Sequence, residues 1–226
     1  MDIVYILGKG SLSNDDELRY SIRSVVQNCS DFEKIHLVGD VPDWFVGEHV
    51  IQAEDLYLKP WQNMMHKVQE ACKSEDVSEN FLLMNDDFFA NKKFSIDTVP
   101  FYSDRRVTGG VNGKRSFATH TPIRLNKEWF LKMPLPIDAK GPYSPRSFYG
   151  NFYNAPPTFI KDCIVRMNEV IEEGQEPLTV LMPPIEDQII NADWFTIDDV
   201  TMLHSDFRKF VEDKYNTPSA FEQPVL

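Results

Sequence analysis

Asn85, Asp86 and Asp87 place one amide and two carboxylates directly after the apolar run of residues 81–84. A short continuous apolar run is typical of a strand buried on both faces of a mostly parallel sheet, and open sheets of this kind bind ligands at the carboxyl ends of their strands. Because adjacent carboxylates repel each other, we expect a hard divalent cation here that bridges to phosphate oxygens. The alternative is that the three residues begin a turn or cap a helix.

A second group of candidate residues consists of cations and a glycine-flanked loop. Lys9 stands between Gly8 and Gly10 after the first predicted strand, where its ammonium group is well placed to contact a phosphate. The loop is not a Walker motif, because Gly-Lys-Ser/Thr with its upstream glycine is absent. Arg19 and Arg23 lie one helical turn apart on one face, and arginine forks suit phosphate oxygens. The alternative for Arg19 is an ion pair with the acids that precede it.

Length and composition restrict the class of protein. The 226 residues suffice for one domain with a substantial core, and 12% aromatic content indicates a globular chain. The net charge of −12 disfavours a nucleic-acid partner, although basic doublets in the middle third leave room for a local phosphate site. No apolar run approaches the roughly 20 residues of a membrane span, and the first residues do not resemble a secretory leader. Three widely spaced cysteines suit free thiols in a reducing cytoplasm.

Strand and helix patterns alternate over about residues 1–92, which predicts an α/β nucleotide-binding half. We expect strands over 2–7, 34–39, 50–51 and 81–84, and helices from Ser13 or Asn14 to about Asn28 and from Pro60 onward. Residues 93–226 are less regular and are predicted to form the acceptor-binding half of the same catalytic domain. There we expect helices over 126–132, 158–172, 184–194 and 205–215.

Several short motifs follow one another in an order that is typical of one transferase family. They are residues 2–5 with Gly10–Ser11, 16–24, 34–38, Pro42 with Trp44, Pro60 with Asn63, 78–81, Asn85–Phe89 and His120–Pro122. With these motifs the chain resembles the Stealth family of sugar-phosphate transferases, well over about residues 2–125 and loosely beyond. The resemblance implies a Rossmann-like core of glycosyltransferase type A, with a central, mostly parallel sheet.

The resemblance also implies a donor site. Asp87 would bind Mn²⁺ or Mg²⁺, with Asn85 and His204 as further ligands. Asp86 would lie in the same site and contact the nucleotide-sugar donor, for which a UDP-sugar is expected. Gly8, Lys9, Gly10, Arg19 and Arg23 are the expected partners of the donor phosphates. A buried histidine that is satisfied by core contacts is the alternative for His204.

The catalytic base is expected among three residues. Glu186 and Asp187 resemble the acidic pair that supplies the base in inverting enzymes of type A, and His120 is placed to act as acid or base near the acceptor. For the acidic pair, the alternative is a favourable interaction with the dipole of the helix that they begin.

We therefore predict a metal-dependent glycosyltransferase that moves a sugar from a nucleotide sugar to a hydroxyl of a carbohydrate or of another bacterial or phage target. Nucleic acid is the less favoured acceptor, because the chain is acidic. The alternatives are Stealth-type sugar-1-phosphate transfer, a metal-dependent phosphoesterase or nuclease, and a non-catalytic binding module for nucleotides or carbohydrates. At position 9 a cation stands where the family usually has an acid, which favours glycosyl transfer. The expected location is the cytoplasm.

Overall fold

The computed structural model describes residues 1–100, 121–134, 144–153, 162–165, 167, 183–197 and 200–223. The described strands are β1 (Asp2–Leu7), β2 (Ile35–Gly39), β3 (Val50–Ile51), β4 (Asn80–Met84), β5 (Phe88–Ala90), β6 (Ile123–Asn126), β7 (Asp162–Ile164) and β8 (Trp194–Thr196). The described helices are α1 (Asp16–Asn28), α2 (Pro60–Lys73), α3 (Lys127–Leu131), α4 (Pro145–Phe152), α5 (Ile185–Ile189) and α6 (Ser205–Lys214). None of the helices in these ranges is long and apolar enough to cross a bilayer.

Among the described residues, five strands form the central sheet in the order β3-β2-β1-β4-β6. The first four run parallel and β6 is antiparallel to β4, so the predicted fold class, an α/β fold with a mostly parallel sheet, is confirmed. Parallel strands need crossover connections. α1 connects the neighbours β1 and β2, and α2 lies in the connection from β3 to β4, which pairs with β1.

Alternate residues of β1 face two different helical layers. Ile3 and Tyr5 pack in one core cluster with the apolar face of α1, whereas Val4 and Ile6 pack in another with that of α2. This alternation follows from the two-residue period of a strand. β1 is therefore buried on both faces, which explains why its sequence is continuously apolar after Asp2.

A smaller sheet, with the order β5-β8-β7 in the described part of the chain, lies beside the carboxyl end of β4. Phe89 of β5 stacks on Phe195 of β8, with ring centroids 4.8 Å apart, and both contact Phe207 of α6. Only Asn85–Asp87 separate β4 from β5. This acidic motif is therefore held between two sheets, and its backbone is fixed at both ends.

The helix caps differ in part from the prediction. Asn126 caps α3 as predicted, since its side chain accepts a hydrogen bond of 3.0 Å from the backbone N–H of Trp129. The cap predicted for α1 is wrong, because the cap position is Asp15, which has a φ of 59° and makes no side-chain cap. The hydroxyl of Ser13 instead donates to the carboxylate of Glu17.

The helix predicted over 158–172 is wrong where the structure describes it. Residues 162–164 form β7, which pairs in parallel with β8, and the N–H of Val165 donates to the carbonyl of Thr196. The partner strand lies some thirty residues further on, so local spacing gave no sign of it. The helix predicted over 184–194 ends at Ile189 for the same reason, because Trp194 begins β8.

Candidate functional site

Two loops meet at the carboxyl ends of β1 and β4, because these strands are parallel neighbours in the centre of the sheet. Residues 8–12 follow β1, residues 85–87 follow β4, and together with Glu17, Ile197 and Met202 they line an open cleft of about 350 Å³, which we call the acidic cleft. Six of the residues that the sequence singled out lie here: Gly8, Lys9, Gly10, Asn85, Asp86 and Asp87. The acidic cleft lies at the sheet edge where α/β folds bind ligands.

Three carboxylates converge in the acidic cleft. Burial, the carboxylate of Asp87 and that of Glu17 raise the pKa of Asp86 to about 7. A buried acid among acids binds a proton or a cation in order to relieve this repulsion. The donor set of carboxylate and amide oxygens is the one that Mg²⁺ and Mn²⁺ prefer, so these residues fit the predicted divalent ion.

Thr196 fixes the orientation of Asp87. This threonine is fully buried on β8, and its hydroxyl donates a hydrogen bond of 2.7 Å to Oδ2 of Asp87. Sequence reasoning missed Thr196, because it lies more than a hundred residues from the acidic motif and belongs to a strand that was not predicted.

Arg146 supports the motif from inside the protein. It is buried at the start of α4, its Nη2 donates to Oδ1 of Asn85 at 3.1 Å, and its guanidinium lies 4.8 Å from the ring centroid of Phe88. Burial lowers the pKa of Arg146 to about 10, against the opposing effect of the Asp87 carboxylate. The guanidinium therefore balances part of the negative charge of the acidic motif and holds Asn85 in place, a function that the sequence alone did not indicate.

The two predicted phosphate-binding arginines do not line the acidic cleft. Arg23 forms a bidentate pair with Glu222, with distances of 2.8 and 2.6 Å, and also donates to the carbonyl of Tyr215. Arg19 pairs with Asp16 at 3.2 Å and lies 4.8 Å from the ring centroid of Trp44. Lys9 is the cation that lines the cleft, and its side chain is exposed there.

The other predicted site residues lie elsewhere. Glu186 and His204 line a second cleft of about 500 Å³, together with Lys209 and other residues of α6. Nδ1 of His204 accepts a hydrogen bond from the N–H of Asp206 at 3.3 Å, so this histidine caps α6. Asp187 is exposed on α5. His120 lies outside the described residues.

Comparison by sequence identifies one curated relative. No family model matches the chain. An exopolysaccharide phosphotransferase of Streptomyces coelicolor is 36% identical over 90 residues, which is 35% of this chain and 9% of the relative's length. The chain thus spans less than a tenth of that protein. The predicted resemblance to the Stealth family and to type A glycosyltransferases is confirmed.

Comparison by structure decides the fold. The galactosyltransferase LgtC in complex with donor and acceptor sugar analogues aligns with a TM-score of 0.54 and 10% identity, covering 96% of this chain and 94% of LgtC. An active-site variant of LgtC aligns over the same fractions with a TM-score of 0.55 and 8% identity. The chain has a glycosyltransferase type A fold. At these identities the likeness establishes the fold alone.

Proposed function

We propose that this protein is a metal-dependent glycosyltransferase that uses a nucleotide sugar and an acceptor hydroxyl. The observation that carries the proposal is the meeting of the Gly8–Gly10 loop with Asn85–Asp87 in one cleft at the carboxyl edge of the sheet. The fold shared with a galactosyltransferase and the sequence similarity to a phosphotransferase both support a sugar transferase.

In this proposal the acidic cleft binds the diphosphate of the donor. Asp86 and Asp87 would hold Mn²⁺ or Mg²⁺, with Asn85 as a further oxygen ligand or an outer contact. When bound, this cation supplies positive charge that stabilises the departing phosphate. Lys9 would contact a phosphate oxygen that the cation does not cover, while Thr196 and Arg146 keep the acidic side chains in their binding orientation.

The acceptor hydroxyl attacks the anomeric carbon, a new C–O bond forms there, and the bond to the β-phosphate oxygen breaks to release a nucleoside diphosphate. The proton of the hydroxyl passes to a general base, for which Asp187, Glu186 and His120 stay the proposed candidates. The second cleft contains Glu186 and His204 and is proposed as part of the acceptor side. Because His204 caps α6, we give it no metal role in this proposal.

Sugar-phosphate transfer is the second candidate, and the similarity to an exopolysaccharide phosphotransferase favours it. Here the acceptor oxygen attacks the β-phosphorus, the α–β bridging bond breaks, and a nucleoside monophosphate leaves. Chromatography of the nucleotide product distinguishes the two reactions. We expect diphosphate from glycosyl transfer, and monophosphate with the sugar phosphate on the acceptor would select the second candidate.

Nucleotide binding is the first test. The melting temperature of the purified protein is measured with UDP, GDP, CDP and ADP, each with and without Mn²⁺. We expect one nucleotide, provisionally UDP, to raise the melting temperature only when Mn²⁺ is present, because ligand binding to the folded state stabilises it. Asp87→Ala should abolish the shift.

The matched control is Asp193→Ala, which removes an exposed aspartate that pairs only with the exposed Lys92 among the contacts described. This variant should keep the full nucleotide shift. No shift with any nucleotide would contradict the transferase proposal and favour a phosphoesterase. Binding that is equal in EDTA and in Mn²⁺, and that persists in Asp87→Ala, would favour a non-catalytic binding module.

We also propose that residues 1–226 form one catalytic domain, divided near residue 92, and that the protein acts in the cytoplasm. The location is supported by Cys29, Cys72 and Cys163, which are all free thiols. A carbohydrate is the proposed acceptor, and nucleic acid is less favoured at a net charge of −12.

A further inference from the structure

Two histidines and one aspartate converge at the amino ends of the strands, on the opposite edge of the sheet from the acidic cleft. His36 lies on β2, His49 directly precedes β3, and Asp76 lies between α2 and β4. One potential ligand atom from each residue lies within 4.8 Å of the other two. Because β1 spans six residues at about 3.3 Å each, this cluster is roughly 15–20 Å from the acidic cleft.

The distances from the Asp76 carboxylate to the two histidines bracket the spacing expected around a small metal ion, and the ligand atoms of the two histidines lie within 4.8 Å of each other. Nδ1 of His49 lies 2.7 Å from Oδ2 of Asp76, and Nδ1 of His36 lies 3.9 Å from the same oxygen. Ligands of a tetrahedral Zn²⁺ at about 2.0–2.1 Å are roughly 3.3 Å apart, between these two values. A shift of the Asp76 carboxylate by about half an ångström would equalise the distances, and this side chain is half exposed.

His36 has the environment of a metal-ligating histidine. The residue is fully buried, and its Nε2 lies 3.2 Å from Oδ2 of Asp2, to which it donates when that nitrogen carries the proton. Nδ1 then presents a lone pair, and it is buried without a hydrogen-bond partner among the residues that the structure describes. Histidines that bind metals typically donate their other ring N–H to a carboxylate in this way.

Asp2 and Lys34 set the charge around the cluster. Oδ2 of Asp2 also accepts a hydrogen bond of 2.8 Å from the N–H of Ser78, which holds the carboxylate against the ring of His36. Lys34 bonds to Oδ1 of Asp76, the oxygen that does not face the histidines. The negative charges of Asp2 and Asp76 offset part of the positive charge of Lys34 and of a divalent ion.

We propose that His36, His49 and Asp76 bind one Zn²⁺, with water as the fourth ligand, in a site that is independent of the acidic cleft. Imidazole nitrogens with one carboxylate suit Zn²⁺ better than Mg²⁺, which prefers oxygen ligands. The ion connects β2, the residue before β3 and the loop before β4. It therefore stabilises the amino edge of the sheet and takes no part in transfer.

The test uses the full chain with Asp87→Ala, which removes the proposed metal ligand of the acidic cleft. After treatment with EDTA and dialysis, ZnCl₂ is titrated by calorimetry and the melting temperature is followed in parallel. We expect one equivalent of Zn²⁺ to bind and to raise the melting temperature, and MgCl₂ at the same concentration to have no such effect. Co²⁺ in place of Zn²⁺ should give the visible absorption of a tetrahedral site with nitrogen ligands.

His49→Gln and Asp76→Asn each remove one ligand from a residue that is not fully buried, so the fold is expected to persist. Each should weaken Zn²⁺ binding at least tenfold, since loss of even an outer partner of a ligand costs about 10–100-fold. Asp2→Asn, which changes the partner of His36 and of the Ser78 N–H but removes no ligand, should weaken binding within that range. His66→Gln, a histidine of α2 outside the cluster, is the matched control and should bind as the parent does.

Three outcomes would overturn the proposal. They are no Zn²⁺ binding by folded Asp87→Ala protein, equal affinity of this protein with and without His49→Gln, and stabilisation by Mg²⁺ as strong as that by Zn²⁺. Because every measurement is made with Asp87→Ala and without nucleotide, failure here leaves the proposed transferase function untouched.

Discussion

At the scale of single residues, Asp86 shows the conflict that the acidic cleft must resolve. Its carboxyl group is surrounded by Asp87 and Glu17 and is removed from water, so its ionised form is unfavourable without a cation. Arg146, the buried cation beside the motif, contacts Asn85 rather than Asp86. In the proposed metal site, Asp86 would therefore couple protonation, metal binding and stability.

We predict that the metal-free protein becomes less stable as the pH rises from about 4 to about 7. The pKa of Asp86 is about 7 in the folded state and close to its ordinary value of 3.8 in the unfolded state, so the folded state binds more protons in this range. Asp86→Asn should flatten this part of the profile of melting temperature against pH. Mn²⁺ should stabilise the parent most at the upper end of this pH range, where it competes least with a proton for the Asp86 carboxylate.

Asp193→Asn serves as the control, because it removes a carboxylate on the exposed surface. Its pH profile should run parallel to that of the parent. If the profile of Asp86→Asn were also parallel to that of the parent, Asp86 would not be the group that causes the loss of stability with rising pH.

At the scale of elements, the carboxyl end of β1 is held by its neighbours. The carbonyl of Leu7 accepts a hydrogen bond of 2.7 Å from Nζ of the buried Lys67, which also pairs with Asp55 at 2.6 Å. Gly39, at the end of β2, packs against the same carbonyl. These contacts fix the point from which the Gly8–Gly10 loop departs into the acidic cleft.

Gly39→Ala is predicted to destabilise the protein by about 2 kcal/mol or more, because the residue has a φ of +114° and a Cβ there would lie 2.4 Å from the carbonyl oxygen of Leu7. Denaturant unfolding measures the change. Gly8→Ala is the comparison, since a Cβ at Gly8 meets no atom within 4 Å. Equal stability of the two variants would contradict a destabilising clash between a Cβ at position 39 and the carbonyl of Leu7.

At the scale of the whole molecule, the segment near residue 222 ties distant parts of the chain together. Glu222 pairs with Arg23 of α1 and accepts hydrogen bonds from the N–H and hydroxyl of Ser219. Phe221 stacks on Phe45, with ring centroids 6.0 Å apart. Arg23, which the sequence placed at the donor phosphates, thus anchors this segment instead.

Glu222→Gln should cost about 1.5–3 kcal/mol of unfolding free energy, because it removes the negative charge to which the partly buried guanidinium of Arg23 donates. The pKa of Glu222 is lowered in the folded state by its hydrogen bonds to Arg23 and Ser219, although burial opposes this. Its contribution is therefore present above the ordinary value of 4.5 and is lost as the pH falls through the lowered pKa.

Asp213→Asn is the comparison, because it breaks an exposed pair with Lys209. Such an exposed pair contributes little to stability. A loss no larger for Glu222→Gln than for Asp213→Asn, measured by denaturant unfolding at neutral pH, would contradict the anchoring of this segment through Arg23.

The sequence by itself determined four strands of the central sheet, β1 to β4, and the acidic motif, whereas β6 was not predicted. β1, β2 and β4 were predictable because strands that are buried on both faces are continuously apolar, and α1 and α2 because their apolar residues repeat with the helical period. The position of Asn85–Asp87 followed, because the residues after a parallel strand lie at its carboxyl edge.

Only the tertiary structure decided which side chains meet these residues. Thr196, Arg146 and Glu17 reach the acidic motif from three separate elements, and β7 and β8 form through pairing between segments that are far apart in the chain. Arg23 and His204 are occupied by partners that the local sequence did not reveal. Contacts of this kind depend on long-range packing, whereas periodicity reports only whether a face is buried.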